Sequence, residues 1–328
     1  MYNDYDKIME INHINAGYES ENGYIPILKD VNFSVDKDLI LGIAGESGSG
    51  KSTLAAVMYN SFKYPGSIKS GEVIFDGKNI LKMKPNELRK LRGTEISFIP
   101  QAAMNALNPV KKIRLQFYDM MIAHNIKESE FDSKISSSME LVRLKENVLD
   151  NFPHELSGGM RQRVVIAMSL LLNPKFIILD EPTTGLDVMV EHDILLDIKK
   201  IQRTLGLTII FISHDLPVLF GISDTIIMMY AGEIVEAGIY SDLLKTPAHP
   251  YTYQLLKSVP LIGSKIDRSM IMKGSAIDFN HIPKGCYFYP RCNFAVPNCS
   301  GIHPELKQAD RTDHLYRCTR YPEWARNI

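Results

Sequence analysis

The sequence predicts an α/β protein with a largely parallel sheet, and three observations lead to this prediction. Short, continuously apolar runs, such as residues 39–44 and 176–179, are typical of strands buried on both faces of a sheet. Apolar residues recur between such runs at helical spacing, as at Ile194, Ile198 and Ile201. A glycine-rich segment directly follows one of the buried strands. Strands that alternate with helices in this way predict parallel neighbours joined by helical crossovers.

The predicted elements follow in chain order. Strands are expected at residues 8–14, 31–35, 39–44, 95–99, 176–179, 207–212 and 225–229. A helix is expected at 53–62, and residues 103–173 combine much helical pattern with no good strand, which predicts a helical subdomain. Most of the late Pro, Cys and His residues follow residue 265. We therefore expect one domain over 1–265 and a small extension over 266–328.

Composition limits the classes of protein to consider. The chain has 328 residues, of which 45% are apolar and 23% charged, as in ordinary soluble globular proteins. A net charge of -1 lowers the expectation of nucleic-acid binding. The longest apolar run, 164–172, stops at Asn173 and is far shorter than the ~20 residues of a membrane helix. The first residues show no secretory signal pattern, so the cytosol is the expected compartment.

A candidate phosphate-binding loop follows the strand at 39–44. It consists of Gly45, Glu46, Ser47, Gly48, Ser49, Gly50, Lys51 and Ser52. Glycines let the backbone curl so that N–H groups point at phosphate oxygens, and the following helix adds its N-terminal dipole. Lys51 would reach the terminal phosphates and the Ser52 hydroxyl would bind Mg²⁺. The alternative is a glycine-rich turn between a strand and a helix.

Two carboxylates end the apolar strand 176–179. Ligands of open α/β sheets bind at the carboxyl ends of the strands, where Asp180 and Glu181 lie. We expect Asp180 to hold Mg²⁺ through water and Glu181 to polarise the attacking water. Alone, such a pair is often only an acidic cap of a strand.

Further motifs give a family resemblance. Residues 156–163, Leu-Ser-Gly-Gly-Met-Arg-Gln-Arg, lie between the two phosphate motifs and resemble the signature of ATP-binding cassette (ABC) ATPases, with Met160 at the usual Gln. Residues 184–187 resemble the D-loop of that family and 212–215 its switch-histidine loop. These motifs occur in the order of the family over residues 8–240. The resemblance implies an ATPase with the fold of an ABC nucleotide-binding domain, a class of P-loop NTPase.

The resemblance also implies site residues. Glu181 and His214 would be the catalytic residues, with His214 at the γ-phosphate. ATP would contact Tyr18, Thr53 and Gln101 in addition to the phosphate loop. Tyr24 is a rival for the aromatic that stacks on adenine. The Mg²⁺ ligands would be Ser52, Gln101 and Asp180. Two cassettes would sandwich ATP, each covering the nucleotide of the other with Ser157, Gly158, Gly159 and Asp187. Ser157 is a plausible N-cap of the helix that these glycines begin.

Two stretches resemble the ATPases of oligopeptide, dipeptide and nickel importers. Residues 247–252 resemble their His-Pro-Tyr segment, which is expected to start a helix packed on the cassette, and 100–109 resemble their Q-loop. Ala102 and Ala103 depart from the frequent Asp-Pro there. The implied protein is the ATPase motor of an importer, most simply for di- or oligopeptides, with oligosaccharide or nickel import as alternatives. The implied partners are a second, paralogous ATPase chain, two permeases and an extracytoplasmic solute-binding protein, which places the chain at the cytoplasmic face of the membrane as a peripheral subunit.

The tail concentrates the cysteines. All four, Cys286, Cys292, Cys299 and Cys318, follow residue 285. In a reducing compartment they are metal ligands or unligated thiols. Their spacing differs from the CxxC pairs of zinc ribbons, and some members of the resembled group carry a [4Fe-4S] cluster on such cysteines. Zinc is the alternative, with His281 or His303 assisting. The tail and the phosphate loop, in separate segments, are expected to act independently.

Two other classes of function are alternatives to the transporter motor. One is a soluble cassette ATPase that acts on nucleic acid, which usually shows a long coiled-coil insertion or two cassettes in one chain; neither pattern is visible in this sequence. The other is an iron–sulfur redox sensor in which ATP hydrolysis is secondary. Sedimentation with membrane permeases would favour the transporter motor, and redox-dependent hydrolysis would favour the sensor.

Overall fold

The structure is a computed structural model that describes residues 6–21, 23–258, 272, 274, 278–279, 281–309 and 313–327. The chain divides into two compact units. The first comprises residues 1–36, 40–81 and 211–328, and the second comprises 37–39 and 82–210. The division expected at residue 265 stays a prediction, because residues 259–271 lie outside the described ones.

The first unit begins with an antiparallel sheet. Its strands are β1 (Lys7–Ser20), β2 (Gly23–Asp36), β4 (Gly66–Phe75) and β5 (Lys78–Asn79), in the order β2-β1-β4-β5. The sequence predicted only parts of β1 and β2 and no strand at β4. Exposed Lys69, Ser70 and Gly71 interrupt the apolar pattern of β4, so periodicity does not reveal it. The expectation of a largely parallel sheet did not include this antiparallel sheet.

The first unit also contains strands of a mixed sheet. These are β3 (Ile40–Ala44), β9 (Thr225–Tyr230), β10 (Glu233–Ile239), β11 (Lys307–Gln308) and β12 (Leu315–Tyr316). Strand β3 runs parallel to β9, with Leu41 opposite Thr225, whereas β10 is antiparallel to both β9 and β12. The helices are α1 (Lys51–Met58), α7 (Leu216–Ile222), α8 (Tyr240–Lys245) and α9 (Pro250–Ser258). As expected, a helix starts at the His-Pro-Tyr segment.

The second unit joins a short parallel sheet to helices. Its strands are β6 (Ile96–Ile99), β7 (Phe176–Asp180) and β8 (Thr208–Ser213), of which β8 crosses the unit boundary. Strand β6 is parallel to β7, with Ile96 opposite Phe176. The helices are α2 (Pro85–Leu91), α3 (Ile113–Ala123), α4 (Phe131–Leu141), α5 (Gly158–Leu170) and α6 (Val188–Leu205). Residues 103–173 are helical and turn structure with no strand, as the sequence predicts.

The predicted strands are the core of both units. Every residue of β3 and β7 is buried, including the five-residue run that ends in Asp180. Burial of these Ile, Leu and Phe side chains stabilises the fold by about 1.5–3 kcal/mol each. The polar residues of the candidate site lie at the carboxyl ends of β3 and β7. Among the described helices, none is both long and apolar enough to cross a membrane.

Candidate functional site

The phosphate loop joins β3 to α1. Gly45, Gly48 and Gly50 have φ values of 153°, 79° and 102°, which L side chains rarely adopt. A Cβ on Gly45 would also lie 2.3 Å from the carbonyl oxygen of Met229. The glycines are therefore required by this backbone path, and the sequence prediction of a curled loop is confirmed.

Lys51 closes the loop on itself. Its Nζ donates to the carbonyl oxygens of Gly45 at 2.7 Å and of Glu46 at 2.9 Å, and the residue is only 5% exposed. A buried ammonium held by loop carbonyls stands at the first residue of α1, where the helix dipole favours anions.

The turn between β9 and β10 braces the same loop. The N–H of Gly232 donates to the carbonyl oxygen of Ser49 at 3.0 Å, and its own carbonyl accepts from the N–H of Lys29 at 3.0 Å. A Cβ on Gly232 would lie 1.7 Å from the carbonyl oxygen of Ile27, so no side chain fits. The loop thus rests on backbone atoms of β2 and of this turn.

Tyr18 lies beside the start of α1. The structure places it in β1, opposite Ile25 of β2. Its hydroxyl is 3.5 Å from Thr53 Oγ1, and its ring meets Phe62 edge-on with centroids 5.1 Å apart. The side chain is 37% exposed, so a face remains accessible to a ligand. The rival Tyr24 has Lys69 Nζ 4.5 Å from its ring centroid.

The second unit carries the acidic pair. Asp180 ends β7 and is 2% exposed, and Glu181 follows with φ 49°, in the left-handed region. Gln101 Nε2 donates to Glu181 Oε2 at 2.9 Å, and Thr184 Oγ1 donates to the same oxygen at 3.1 Å. The structure therefore brings together two predicted site residues, Gln101 and Glu181. It adds Thr184, which the sequence analysis did not single out as a partner of the carboxylate.

The signature segment begins α5 as predicted. Ser157 is the N-cap, and its side chain accepts from the N–H of Met160 at 3.3 Å. A Cβ on Gly159 would lie 2.5 Å from Val190 Cγ1, so this glycine allows α5 to pack against α6. A Cβ on Gly158 would lie 3.3 Å from Leu186 Cδ2. These glycines thus have a packing role within the chain.

Asp187 and His214 each lie directly before the N-terminus of a helix. The side chain of Asp187 caps α6 by accepting from the N–H of Val190 at 3.0 Å. His214 lies in the first unit, in the turn between β8 and α7, and is exposed. The family roles of both residues stay predictions.

The four cysteines line one pocket of the tail. Cys286, Cys292, Cys299 and Cys318 share it with Phe288, Phe294 and further residues. None forms a disulfide. Burial raises the pKa of Cys286 to about 11, of Cys292 to about 12 and of Cys318 to about 11.

The cysteines, which all belong to the described part of the chain, do not form a metal site in this structure. Among the described residues, no three or more His, Cys, Asp or Glu side chains group as a site for a metal ion. Of the histidines named as assistants to zinc, His303 instead contacts Glu233 Oε1 at 3.1 Å and His281 contacts Asp278 at 2.7 Å. The arrangement brings four thiols to one apolar pocket.

The tail also contacts the phosphate loop. Arg291 Nη1 donates to Glu46 Oε2 at 2.6 Å and Nη2 donates to Oε1 at 2.9 Å. Tyr251 of the His-Pro-Tyr segment accepts from the N–H of Glu46 at 2.8 Å. The expectation that tail and loop act independently as separate segments overlooked this contact, because sequence distance conceals it.

Comparisons with known proteins agree with the motifs. A family model described as ABC transporter matches residues 28–184, and one described as oligopeptide/dipeptide transporter, C-terminal region, matches 235–299. The dipeptide transport ATP-binding protein DppD of Caldanaerobacter subterraneus subsp. tengcongensis is 36% identical, over 96% of this chain and 98% of its own. The oligopeptide transport ATP-binding protein OppD of Bacillus subtilis is 39% identical, over 97% of this chain and 90% of its own.

Solved structures give the same result. The ATP-binding cassette MJ0796, in a dimeric post-hydrolysis state bound to ADP and phosphate, has a TM-score of 0.63 and 27% identity over 71% of this chain and 98% of its own. The cbiO1 protein from Clostridium perfringens, part of an ABC transporter complex, has a TM-score of 0.65 and 28% identity over 74% of this chain and 92% of its own. The chain therefore belongs to the ATP-binding proteins of ABC transporters, in the family of the dipeptide and oligopeptide transport ATPases.

Proposed function

We propose that the chain is the ATP-hydrolysing motor of an importer for dipeptides or oligopeptides. The observation that carries the substrate class is the match of residues 235–299 to the C-terminal region of oligopeptide/dipeptide transporters, which follows the cassette in the same chain. Relatives named for dipeptide and oligopeptide transport span nearly the whole chain and favour this substrate class over nickel or oligosaccharides.

The phosphate loop and its neighbours would bind ATP. In this proposal Lys51 exchanges its hold on the carbonyls of Gly45 and Glu46 for the terminal phosphates, which offer it a stronger charge-assisted contact. Loop N–H groups and the N-terminus of α1 would hold the remaining phosphate oxygens. Tyr18 would stack on adenine, a role favoured by its accessible ring beside Thr53.

Hydrolysis would depend on Glu181. A carboxylate fixed by Gln101 and Thr184 is held in one orientation, as a general base that accepts the proton of the attacking water must be. The bound Mg²⁺ would supply charge neutralisation of the phosphates, with Asp180, Ser52 and Gln101 as its proposed ligands. Buried Asp180 and the Ser52 hydroxyl offer the oxygen donors that Mg²⁺ prefers. His214 is proposed as a contact of the γ-phosphate.

The remaining motifs would act in an assembly. Ser157, Gly158, Gly159 and Asp187 would face the nucleotide of a second, paralogous ATPase chain. Closure of that pair would drive two permease subunits, which receive the solute from an extracytoplasmic binding protein. The chain would then lie at the cytoplasmic face of the membrane as a peripheral subunit.

Reconstitution tests this assignment. The complex isolated from membranes with this chain should contain a second ATPase and two permeases, and its solute-binding protein should carry peptide. In proteoliposomes, ATP hydrolysis should rise when the binding protein is loaded with a peptide pool and should not rise with nickel or an oligosaccharide. Stimulation by nickel or by a sugar alone would reject peptide import.

We further propose that the four cysteines hold a [4Fe-4S] cluster. The support for this proposal is that all four thiols line one apolar pocket. Four thiolates are the donor set of such clusters, and an apolar lining excludes solvent from them. The proposed role is structural, since the cluster would crosslink chain segments from 286 to 318.

Colour and metal content test the cluster. Full-length protein purified without oxygen should absorb near 400 nm and contain iron and sulfide in similar amounts. Cys292→Ser should remove the absorbance, whereas Ser300→Ala, next to Cys299 but without loss of a thiol, should keep it. Colourless protein that contains one zinc per chain would contradict the cluster and indicate a zinc site instead.

A further inference from the structure

One side chain of the tail reaches the phosphate loop. Arg291, directly before Cys292, grips both carboxylate oxygens of Glu46, at 2.6 and 2.9 Å. The Arg291 side chain is 9% exposed and that of Glu46 is 26% exposed. A bidentate pair with so little solvent around it is among the stronger side-chain contacts of a protein.

Glu46 is central to the loop. Its N–H donates to Tyr251 Oη at 2.8 Å, and its carbonyl oxygen accepts from Lys51 Nζ at 2.9 Å and from the N–H of Ser49 at 3.1 Å. The backbone and the side chain of this one residue therefore connect the tail, the His-Pro-Tyr segment and the phosphate-binding lysine.

The fold of the tail sets the position of Arg291. Its guanidinium lies 5.8 Å from the ring centroid of Tyr230, and Phe288 packs on Tyr230 and Tyr251 with centroids 5.2 and 5.4 Å apart. The N–H of Cys292 donates to the carbonyl oxygen of Tyr289 at 3.3 Å. Arg291 thus comes from a turn that the cysteine segment builds.

The charges explain why the contact matters for ATP. Glu46 puts a carboxylate in a loop whose ligand carries several negative charges, and like charges repel strongly where water is scarce. Arg291 neutralises this carboxylate and fixes its direction. We infer that Arg291 is a positioning residue of the nucleotide site: through Glu46 it sets the affinity of the phosphate loop for ATP, which makes the tail a working part of that site.

Two single substitutions test the inference: one removes the positive charge of Arg291 and the other removes the negative charge of Glu46. In full-length protein, Arg291→Met leaves Glu46 unneutralised, and the Kd for a fluorescent ATP analogue should rise about tenfold, which equals ~1.4 kcal/mol. Glu46→Gln removes the repelling charge, so its Kd should equal or fall below that of the wild type. A contact that only packs the tail would weaken binding in both variants.

Further variants separate charge from folding. Adding Glu46→Gln to Arg291→Met should restore the wild-type affinity, because the pair is again without net charge, and Arg291→Lys should lose less than Arg291→Met because it keeps the charge but not the fork. Arg320→Met is the matched control: this tail arginine donates to the carbonyl oxygen of Phe294 at 3.3 Å, and its loss should leave the Kd unchanged. These comparisons do not depend on the cluster, since no variant alters a cysteine.

Three outcomes would overturn the inference. They are an Arg291→Met Kd within twofold of the wild type, a Glu46→Gln Kd raised as much as that of Arg291→Met, and a double variant weaker than the wild type by tenfold. If Arg291→Met does not fold, Arg291→Lys takes its place in the comparison with the wild type, and the double variant still tests whether Arg291 acts through Glu46.

Discussion

Replacing Glu181 with Gln separates chemistry from structure at the candidate base. The side chain accepts two hydrogen bonds on Oε2, from Gln101 at 2.9 Å and from Thr184 at 3.1 Å. A glutamine oxygen can accept both, so only their charge-assisted part is lost. That part is about 1 kcal/mol in a half-exposed setting, where solvent screens the charge.

The expected loss of rate is much larger. A glutamine cannot take a proton from water, and removal of a general base slows catalysis ~10²–10⁴-fold, equivalent to ~2.7–5.5 kcal/mol in the barrier. Glu181→Gln should therefore melt within a few degrees of the wild type and bind ATP normally while releasing almost no phosphate. Gel filtration with ATP should then show a trapped dimer.

A second Glu→Gln change provides the control. Glu95 forms an exposed ion pair with Lys175 at 2.9 Å, which contributes little, so Glu95→Gln should keep both rate and stability. Phosphate release is measured on all three proteins at saturating ATP. Turnover at the wild-type rate in Glu181→Gln would refute the assignment of the base.

Three more predictions concern the loop, the signature helix and the His-Pro-Tyr segment. Lys51→Ala should weaken ATP binding by ~1.5–3 kcal/mol in a calorimetric titration, and unchanged affinity would reduce the loop to a turn. Gly159→Ala should destabilise by ~1–3 kcal/mol, since its Cβ would meet Val190 at 2.5 Å; adding Val190→Ala should recover part of the melting temperature, and an unaltered melting temperature in Gly159→Ala would contradict the packing argument. Burial lowers the pKa of His249 to about 3, so below pH 6.5 the unfolded chain takes up a proton that the folded chain refuses, and stability falls by ~1.4 kcal/mol per pH unit. His249→Asn keeps an acceptor for the N–H of Tyr251, so it should lose less melting temperature between pH 7 and pH 5, and an equal loss would exclude His249 as the cause.

Local patterns in the sequence predicted the parts of the fold that local forces determine. Strands β3 and β7 are continuous apolar runs, and the loop after β3 needs glycine at each left-handed position, so both are readable from neighbouring residues. Ser157 as N-cap of α5 follows from the same kind of rule. Strand β4 was missed because its polar middle breaks the alternation that would mark it.

Contacts between distant segments account for most of what the sequence analysis missed. Nothing near Glu46 predicts that residue 291 neutralises it, and nothing near Gly159 predicts that residue 190 fills the space beside it. Such contacts depend on the tertiary path of the chain, which residue patterns do not encode locally. Of the two residues that donate to Glu181, the family resemblance named Gln101 as a site residue but did not name Thr184.

The turn at Gly232 has a consequence for reading mutational data. This glycine is distant in sequence from the phosphate loop, yet its N–H holds Ser49 and its missing Cβ leaves room for the carbonyl of Ile27. A selection for transport over all single substitutions should therefore accept no residue other than glycine at position 232. ATP added during purification should do little to restore the folding of such variants. A genetic screen would mark this position as part of the nucleotide site although it touches only protein.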